Sequence, residues 1–163
     1  MSHACRTCGH SNLERVIDLG NQPWCNHFLR ADEVGKEPIY PLRVVYCHDC
    51  RTAQLDYTVP KEVMFGDHTY LSGITQSLSE HFKWVAAQAD TRLTTTERPR
   101  AVLDIGSNDG TQLKHFRDLG YDVLGVESSK TTARIAVEAG IHTVNTFFNE
   151  QSAAEIGRTF DVI

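Results

Sequence analysis

The sequence predicts an α/β chain of two parts, a small cysteine-stapled module followed by the opening half of a parallel sheet. Three observations carry that reading: two CxxC pairs confined to the first 50 residues, strand-type and helix-type segments alternating from Ala101 onward, and a glycine-rich turn at the end of the first of those strands. At 163 residues the chain exceeds one typical domain of about 100–150 residues, which fits one small domain plus part of another. Hydrophobic residues make up 40% and charged residues 23%, a globular balance with enough apolar surface for a core.

Residues 1–75 read as the small domain. Short alternating segments, Leu42–Tyr46 and Ala53–Tyr57, suit brief strands between cysteine- and proline-punctuated loops. Residues 76–100 read as a connecting helix and linker. Leu78, Phe82, Val85, Ala86, Ala89 and Leu93 recur at three- and four-residue intervals and align on one helical face, and Pro99 closes the polar run behind them. From 101 to 163 the pattern is βαβαβαβ. Strands are expected at Ala101–Ile105, Asp122–Val126, Ile141–Val144 and Phe160–Ile163. Helices are expected at Thr111–Leu119, stopped by Gly120, at Thr131–Ala139, stopped by Gly140, and at Glu150–Ile156. Such alternation builds a parallel sheet, and four strands leave it truncated, with an open edge that favours self-association.

Charge and hydropathy exclude several functions. Sixteen lysines and arginines stand against 21 aspartates and glutamates, a formal net charge of -5 that repels a phosphate backbone, so nucleic acid is not an expected partner. No apolar run approaches the roughly 20 residues needed to cross a bilayer, and Met1–His10 lacks a signal-peptide core; the expectation is no membrane association and a cytoplasmic location.

Cys5 and Cys8 form one CxxC pair and Cys47 and Cys50 the other. This spacing lets each pair turn its sulfurs toward one tetrahedral ion. Four thiolates fill the coordination sphere, which points to structural zinc more than to catalytic zinc; iron in the same ligand set and a redox-active CxxC are the alternatives. His10 and His48 are expected to be solvated, and Cys25, left unpaired, to be a small buried residue.

The turn Asp104-Ile105-Gly106-Ser107-Asn108-Asp109-Gly110 follows an apolar strand and opens a helix, which sets glycines where a backbone passes close to a ligand. Its glycines are four apart, without the GxGxxG spacing of a dinucleotide site, so a nicotinamide cofactor is the weaker reading. Glu127 ends the second strand, where a carboxylate can accept bonds from both hydroxyls of a ribose.

These motifs together resemble the first part of the S-adenosylmethionine-dependent C-methyltransferases of deoxysugar biosynthesis. The likeness runs through Cys5-Arg6-Thr7-Cys8, Asp18-Leu19-Gly20-Asn21-Gln22-Pro23 with Asn26 and Phe28, Tyr40-Pro41-Leu42, Gln54-Leu55, then Phe65, Tyr70, Ser72, Gly73 and Ser77, and finally Phe147-Phe148; His68 stands where such proteins often carry tyrosine. The resemblance implies a zinc domain joined to a Rossmann-like, class I methyltransferase half-domain. By it, Asp104 would stand near the methionine amino group of the cofactor and the Gly106 and Gly110 backbone would skirt its methionine and ribose. Asn108 and Asp109 would shape the pocket, Glu127 would hold the ribose, and Ser128 would lie beside the adenine. Tyr70 would hydrogen-bond the enolate of a nucleotide-linked keto-sugar, while Ser72 and Ser77 suit turn and helix-cap roles. The catalytic base is expected beyond Ile163, so the chain alone is expected not to turn over. Transfer to oxygen or nitrogen of another acceptor, and a non-catalytic zinc-binding interaction module, are the competing readings.

Overall fold

The computed structural model describes residues 4–25, 28–67, 70–94 and 99–163, and its contacts divide the chain into two units, Met1–Met64 and Phe65–Ile163. Asn26 and His68 lie outside the described residues.

The first unit is built on an antiparallel sheet in the order β1-β2-β3, formed by β1 (Leu13–Pro23), β2 (Ile39–Cys47) and β3 (Ala53–Leu55). The strand β1 has no counterpart among the expected segments. Its residues are nearly all exposed, so no alternation of buried and exposed positions marks it, and its pairing with β2 is interrupted between Arg15 and Ile17 and again between Asp18 and Asn21. Gly20, at φ 73°, makes the second irregularity, and its N–H donates to Asp18 Oδ1 at 2.9 Å. The expected strand at 42–46 is the centre of β2, whereas that at 53–57 stops at Leu55. One further backbone bond, from the Asp56 N–H to the Arg43 carbonyl, ends the ladder, and the Asp56 carboxylate accepts from Arg43 Nε at 2.8 Å. A short helix, α1 (Lys61–Phe65), follows Pro60.

In the second unit a 3₁₀ turn at Ser72–Ile74 leads into α2 (Gln76–Arg92), whose N-cap position is held by Thr75 rather than Ser77. The predicted face of α2 is its packed face. Ala86 is fully buried, and Ala89 and Leu93 pack on the core. Beyond it run β4 (Ala101–Ile105), α3 (Thr111–Asp118), β5 (Asp122–Glu127), α4 (Lys130–Glu138), β6 (Thr143–Asn145) and α5 (Glu150–Ile156). Gly120 and Gly140 end α3 and α4 in the left-handed conformation, at φ 86° and 75°.

The sheet is parallel, in the order β4-β5-β6. Period-two alternation sends Val102 and Val123 to one face, with Leu113, Phe116, Tyr121, Ala136 and Ile141, and Leu103, Leu124 and Val126 to the other, with Val144, Ile156 and Phe160. The expected third strand begins two residues late, at Thr143, because Ile141 is spent in the core beneath α4. The expected fourth strand is reduced to a single parallel bridge, Val162 to Val102, with Leu103 N–H donating to the Val162 carbonyl at 3.0 Å. That bridge lies on the side of β4 opposite β5, so the strand order reverses at β4. In an open parallel sheet, ligands bind outside the carboxyl ends of the strands at such a reversal. Among the described residues no helix is long and apolar enough to cross a membrane.

Candidate functional site

The four cysteine sulfurs come together from two loops of the same shape. After Cys5, the Gly9 N–H donates to the Cys5 carbonyl at 2.8 Å and the Cys5 N–H to the His10 carbonyl at 2.7 Å. After Cys47, Arg51 and Thr52 repeat both bonds at 2.8 and 2.9 Å. The residue four after each leading cysteine is left-handed, Gly9 at φ 78° and Arg51 at φ 61°. Sulfurs from opposite loops stand 3.5 Å apart (Cys5 and Cys50) and 3.6 Å apart (Cys8 and Cys47), and all four lie within 4.8 Å of one another. A tetrahedron of Zn–S bonds of about 2.3 Å has sulfur–sulfur edges of about 3.8 Å, so the cluster fits a zinc ion.

The backbone groups of Cys8 and Thr7 draw the Cys5 thiol down to about 6. At Cys8 the backbone at His10 also favours the thiolate, but desolvation and the neighbouring sulfurs outweigh it and push that thiol up to about 12. Such crowding of thiolates calls for a cation between them. His10 and His48 turn to Asp49 (3.2 Å) and Glu14 (2.7 Å) and stay exposed. Cys25, expected to be buried, is exposed in the turn where the chain leaves β1.

In the second unit the site residues gather at the carboxyl ends of β4 and β5. The turn after β4 extends the ladder by one step, the N–H groups of Gly106 and Ser107 both donating to the Val126 carbonyl, and then bends through Gly106 (φ 82°), Asn108 (φ 52°) and Gly110 (φ 75°). A Cβ on Gly106 would meet nothing within 4 Å, which leaves open space over this backbone. Gly110 is different, since a Cβ there would come within 3.0–3.2 Å of the Ile141 side chain. It lets α3 start against the core.

Glu127 is buried, and its carboxylate organises both loops. Oε2 accepts the Asn108 N–H at 2.8 Å and Oε1 the Ser129 N–H at 2.7 Å. Each oxygen keeps a further lone pair. Asp104, near the end of β4, is raised to about 6, first by desolvation and second by the negative charge of Glu127. Ser128 is half-buried, its hydroxyl donating to the Phe65 carbonyl at 3.2 Å.

Asn108 and Asp109 reach back to the segment before α2. The Tyr70 carbonyl accepts from Asn108 Nδ2, and the N–H groups of Ser72 and Gly73 donate to Asn108 Oδ1 and Asp109 Oδ2. The Tyr70 side chain is 54% exposed. Residues 65–67 and 70–75, read from the sequence with the first domain, belong by contact to the second unit, and these bonds are the reason. Sequence reasoning also passed over Ser129, whose hydroxyl caps α4, and Asn145, whose amide holds the carbonyls of Glu127 and Ser128. The signals for them are a polar residue at a strand end for Asn145 and, for Ser129, a serine just ahead of an expected helix.

A parallel sheet reversing at β4, with a glycine turn there and a buried acid at the next strand end, defines the nucleotide-binding half of a Rossmann-type domain, here preceded by a four-cysteine module. Comparison with known proteins agrees. Residues 5–65 match a family described as "Putative zinc binding domain", and residues 79–163, more than half of the chain, match a family described as a methyltransferase domain. The chain belongs to this methyltransferase-domain family. It is 30% identical over 153 residues to the C-methyltransferase NovU of Streptomyces niveus, an alignment covering 93% of the chain and 36% of NovU. The chain thus spans about a third of the length of the curated relative it matches. Solved structures of the plantazolicin methyltransferase BpumL with SAH align over 45–47% of the chain and 32–33% of theirs, at 21% identity and TM-scores of 0.36 and 0.38.

Proposed function

We propose that the chain is the zinc-bearing, S-adenosylmethionine-binding part of a C-methyltransferase whose acceptor is a carbon beside the ketone of a nucleotide-linked deoxysugar. The observation that carries the cofactor assignment is the buried Glu127 carboxylate. It is fixed by two backbone N–H groups beside a glycine turn whose backbone is open above Gly106. Its remaining lone pairs suit the two ribose hydroxyls. Burial and the neighbouring Glu127 disfavour the charge of Asp104, and a cationic ligand such as the ammonium of the cofactor relieves that cost. The cofactor, when bound, supplies an electrophilic methyl on a sulfonium.

The chain's own residues hold and orient. Asp104 offers negative charge to the amino group, the Gly106 backbone permits close approach, and Ser128 borders the adenine. The Tyr70 phenol is suited to donate a hydrogen bond to a keto oxygen as negative charge develops there, and such a donor lowers the barrier by stabilising that charge. Carbon as the acceptor rests on the likeness to NovU, named a C-methyltransferase. The nucleotide-sugar class rests on the motif from Asp18 to Pro23 and on the tyrosine-serine-glycine signature. Cys5, Cys8, Cys47 and Cys50 hold zinc in a closed, structural site.

Isothermal titration of S-adenosylmethionine and, separately, NAD into the purified chain, with elemental analysis of the same sample, tests the reading. One zinc per chain and binding of S-adenosylmethionine alone is the expected result. Absence of zinc, or binding of NAD in its place, overturns it.

A further inference from the structure

Asn108 and Asp109 sit in the middle of the glycine turn, where side chains are expected to face a ligand, yet their polar atoms are engaged within the protein. Asn108 Nδ2 donates to the Tyr70 carbonyl at 2.9 Å, and Asn108 Oδ1 accepts the N–H groups of Ser72 at 3.0 Å and Asp109 at 2.9 Å. Asp109 Oδ2 accepts the Gly73 N–H at 2.8 Å, while its Oδ1 takes the Thr111 hydroxyl at 2.6 Å and the Thr111 N–H at 3.1 Å. Asp109 is itself buried. The approach is close enough to demand glycine: a Cβ on Gly73 would stand 2.6 Å from Thr111 Oγ1 and 2.8 Å from Asp109 Oδ2, contacts that real Cβ atoms do not make. Two further bonds tie the preceding stretch to the β5–α4 loop, Ser128 Oγ to the Phe65 carbonyl at 3.2 Å and Thr131 Oγ1 to Asp67 Oδ1 at 2.8 Å.

We infer that Asn108 and Asp109 are positioning residues: they latch Tyr70–Gly73 onto the glycine turn, so that the turn and Tyr70 are held in one arrangement. Resting on the proposed function, this says how the two halves of that site are kept in register. The latch couples them physically, because the residues that shape the turn are those that hold the backbone on either side of Leu71. An amide that holds the Tyr70 carbonyl and the Ser72 N–H, beside a carboxylate that holds the Gly73 N–H, forms a joint that yields as a unit. Loss of either partner therefore loosens both the turn and the segment.

The test is hydrogen exchange by NMR on the full, ligand-free chain, followed by titration of S-adenosylhomocysteine, for the wild type and for Asn108→Ala, Asp109→Asn and Gly73→Ala. The Ser72 and Gly73 amides are expected to be protected in the wild type. In each variant they exchange at least about tenfold faster while the amides of Val123–Val126 keep their rates; a general loss of stability would accelerate both sets. S-adenosylhomocysteine affinity is expected to fall about tenfold in Asp109→Asn and in Gly73→Ala, and the double variant to lose no more than either alone, as residues acting through one contact do. Asn108 is only half-buried, so its variant keeps the test open where Asp109→Asn fails to fold. Ser72 and Gly73 amides that exchange at the rate of an open chain in the wild type, or additive losses in the double variant, overturn the latch. A wild type that binds no S-adenosylhomocysteine removes the functional reading instead, and the exchange rates then decide the latch by themselves.

Discussion

The Glu127 carboxylate bridges two loops, accepting the Asn108 N–H on one oxygen and the Ser129 N–H on the other. Through it the glycine turn after β4 and the N-terminus of α4 are fixed to the same buried group. Replacing it with alanine strands both N–H groups, at roughly 1–3 kcal/mol for each that water does not reach. Glu127→Ala is therefore expected to lower the unfolding free energy by about 2–4 kcal/mol and to abolish measurable S-adenosylmethionine binding. Urea unfolding of the second unit and titration of the cofactor read the two effects separately.

A second prediction follows from Asp104. Its folded-state value of about 6, against an ordinary 3.8, means that the folded chain holds a proton there which the unfolded chain releases, so between about pH 4 and pH 6 this group makes stability fall as pH rises. A cationic ligand needs the ionised form. Affinity for S-adenosylmethionine is expected to be constant above about pH 7 and to weaken by up to about tenfold per unit as pH falls below 6, with the dependence flattened in Asp104→Asn. Titrations at a series of pH values check it.

The metal site was largely legible in the sequence, and the second unit nearly so, for physical reasons that differ. Two CxxC pairs specify a tetrahedral cluster whatever the intervening fold, and the parallel sheet announces itself through buried runs such as Val102–Leu103 and Val123–Leu124. The strand β1 was hidden because almost none of its side chains is buried, so no hydrophobic period marks it. The role of Gly73 was hidden because its requirement arises from a contact with Asp109, 36 residues away. Cys25 was misread because burial was inferred from residue type alone, while position in a turn decided it.

Removing the metal is expected to unfold the first unit and spare the second. The sheet of the first unit keeps β1 exposed, and among that unit's described residues only Cys5, Val45 and Cys47 are buried, so the zinc contribution of about 10–16 kcal/mol typical of small zinc domains dominates its stability. Chelation, or Cys47→Ser, should erase the NMR dispersion of residues 4–64 and leave that of 99–163 in place. Retention of a folded first unit without metal contradicts this.

The join between α2 and β4 is secured by a charged group away from water. Arg100 Nη1 donates to Asp90 Oδ1 at 2.7 Å, and the Tyr121 hydroxyl donates to the same oxygen at 2.9 Å. The Arg100 side chain is only 8% exposed, so Asp90→Ala, which removes the carboxylate accepting from it at 2.7 Å, is expected to cost about 2–3 kcal/mol. Tyr121→Phe removes one neutral hydrogen-bonding group and should cost about 1 kcal/mol. Thermal unfolding ranks the two.

The most direct test of the proposed cofactor site is a ¹H–¹⁵N NMR titration of the chain with S-adenosylhomocysteine, which reports where a ligand sits. Shifts concentrated at the amides of Ile105–Gly110 and Glu127–Ser129, absent in Glu127→Ala, are the predicted result. Saturable shifts elsewhere that leave those two loops untouched, or no shift at any ligand concentration, would contradict it.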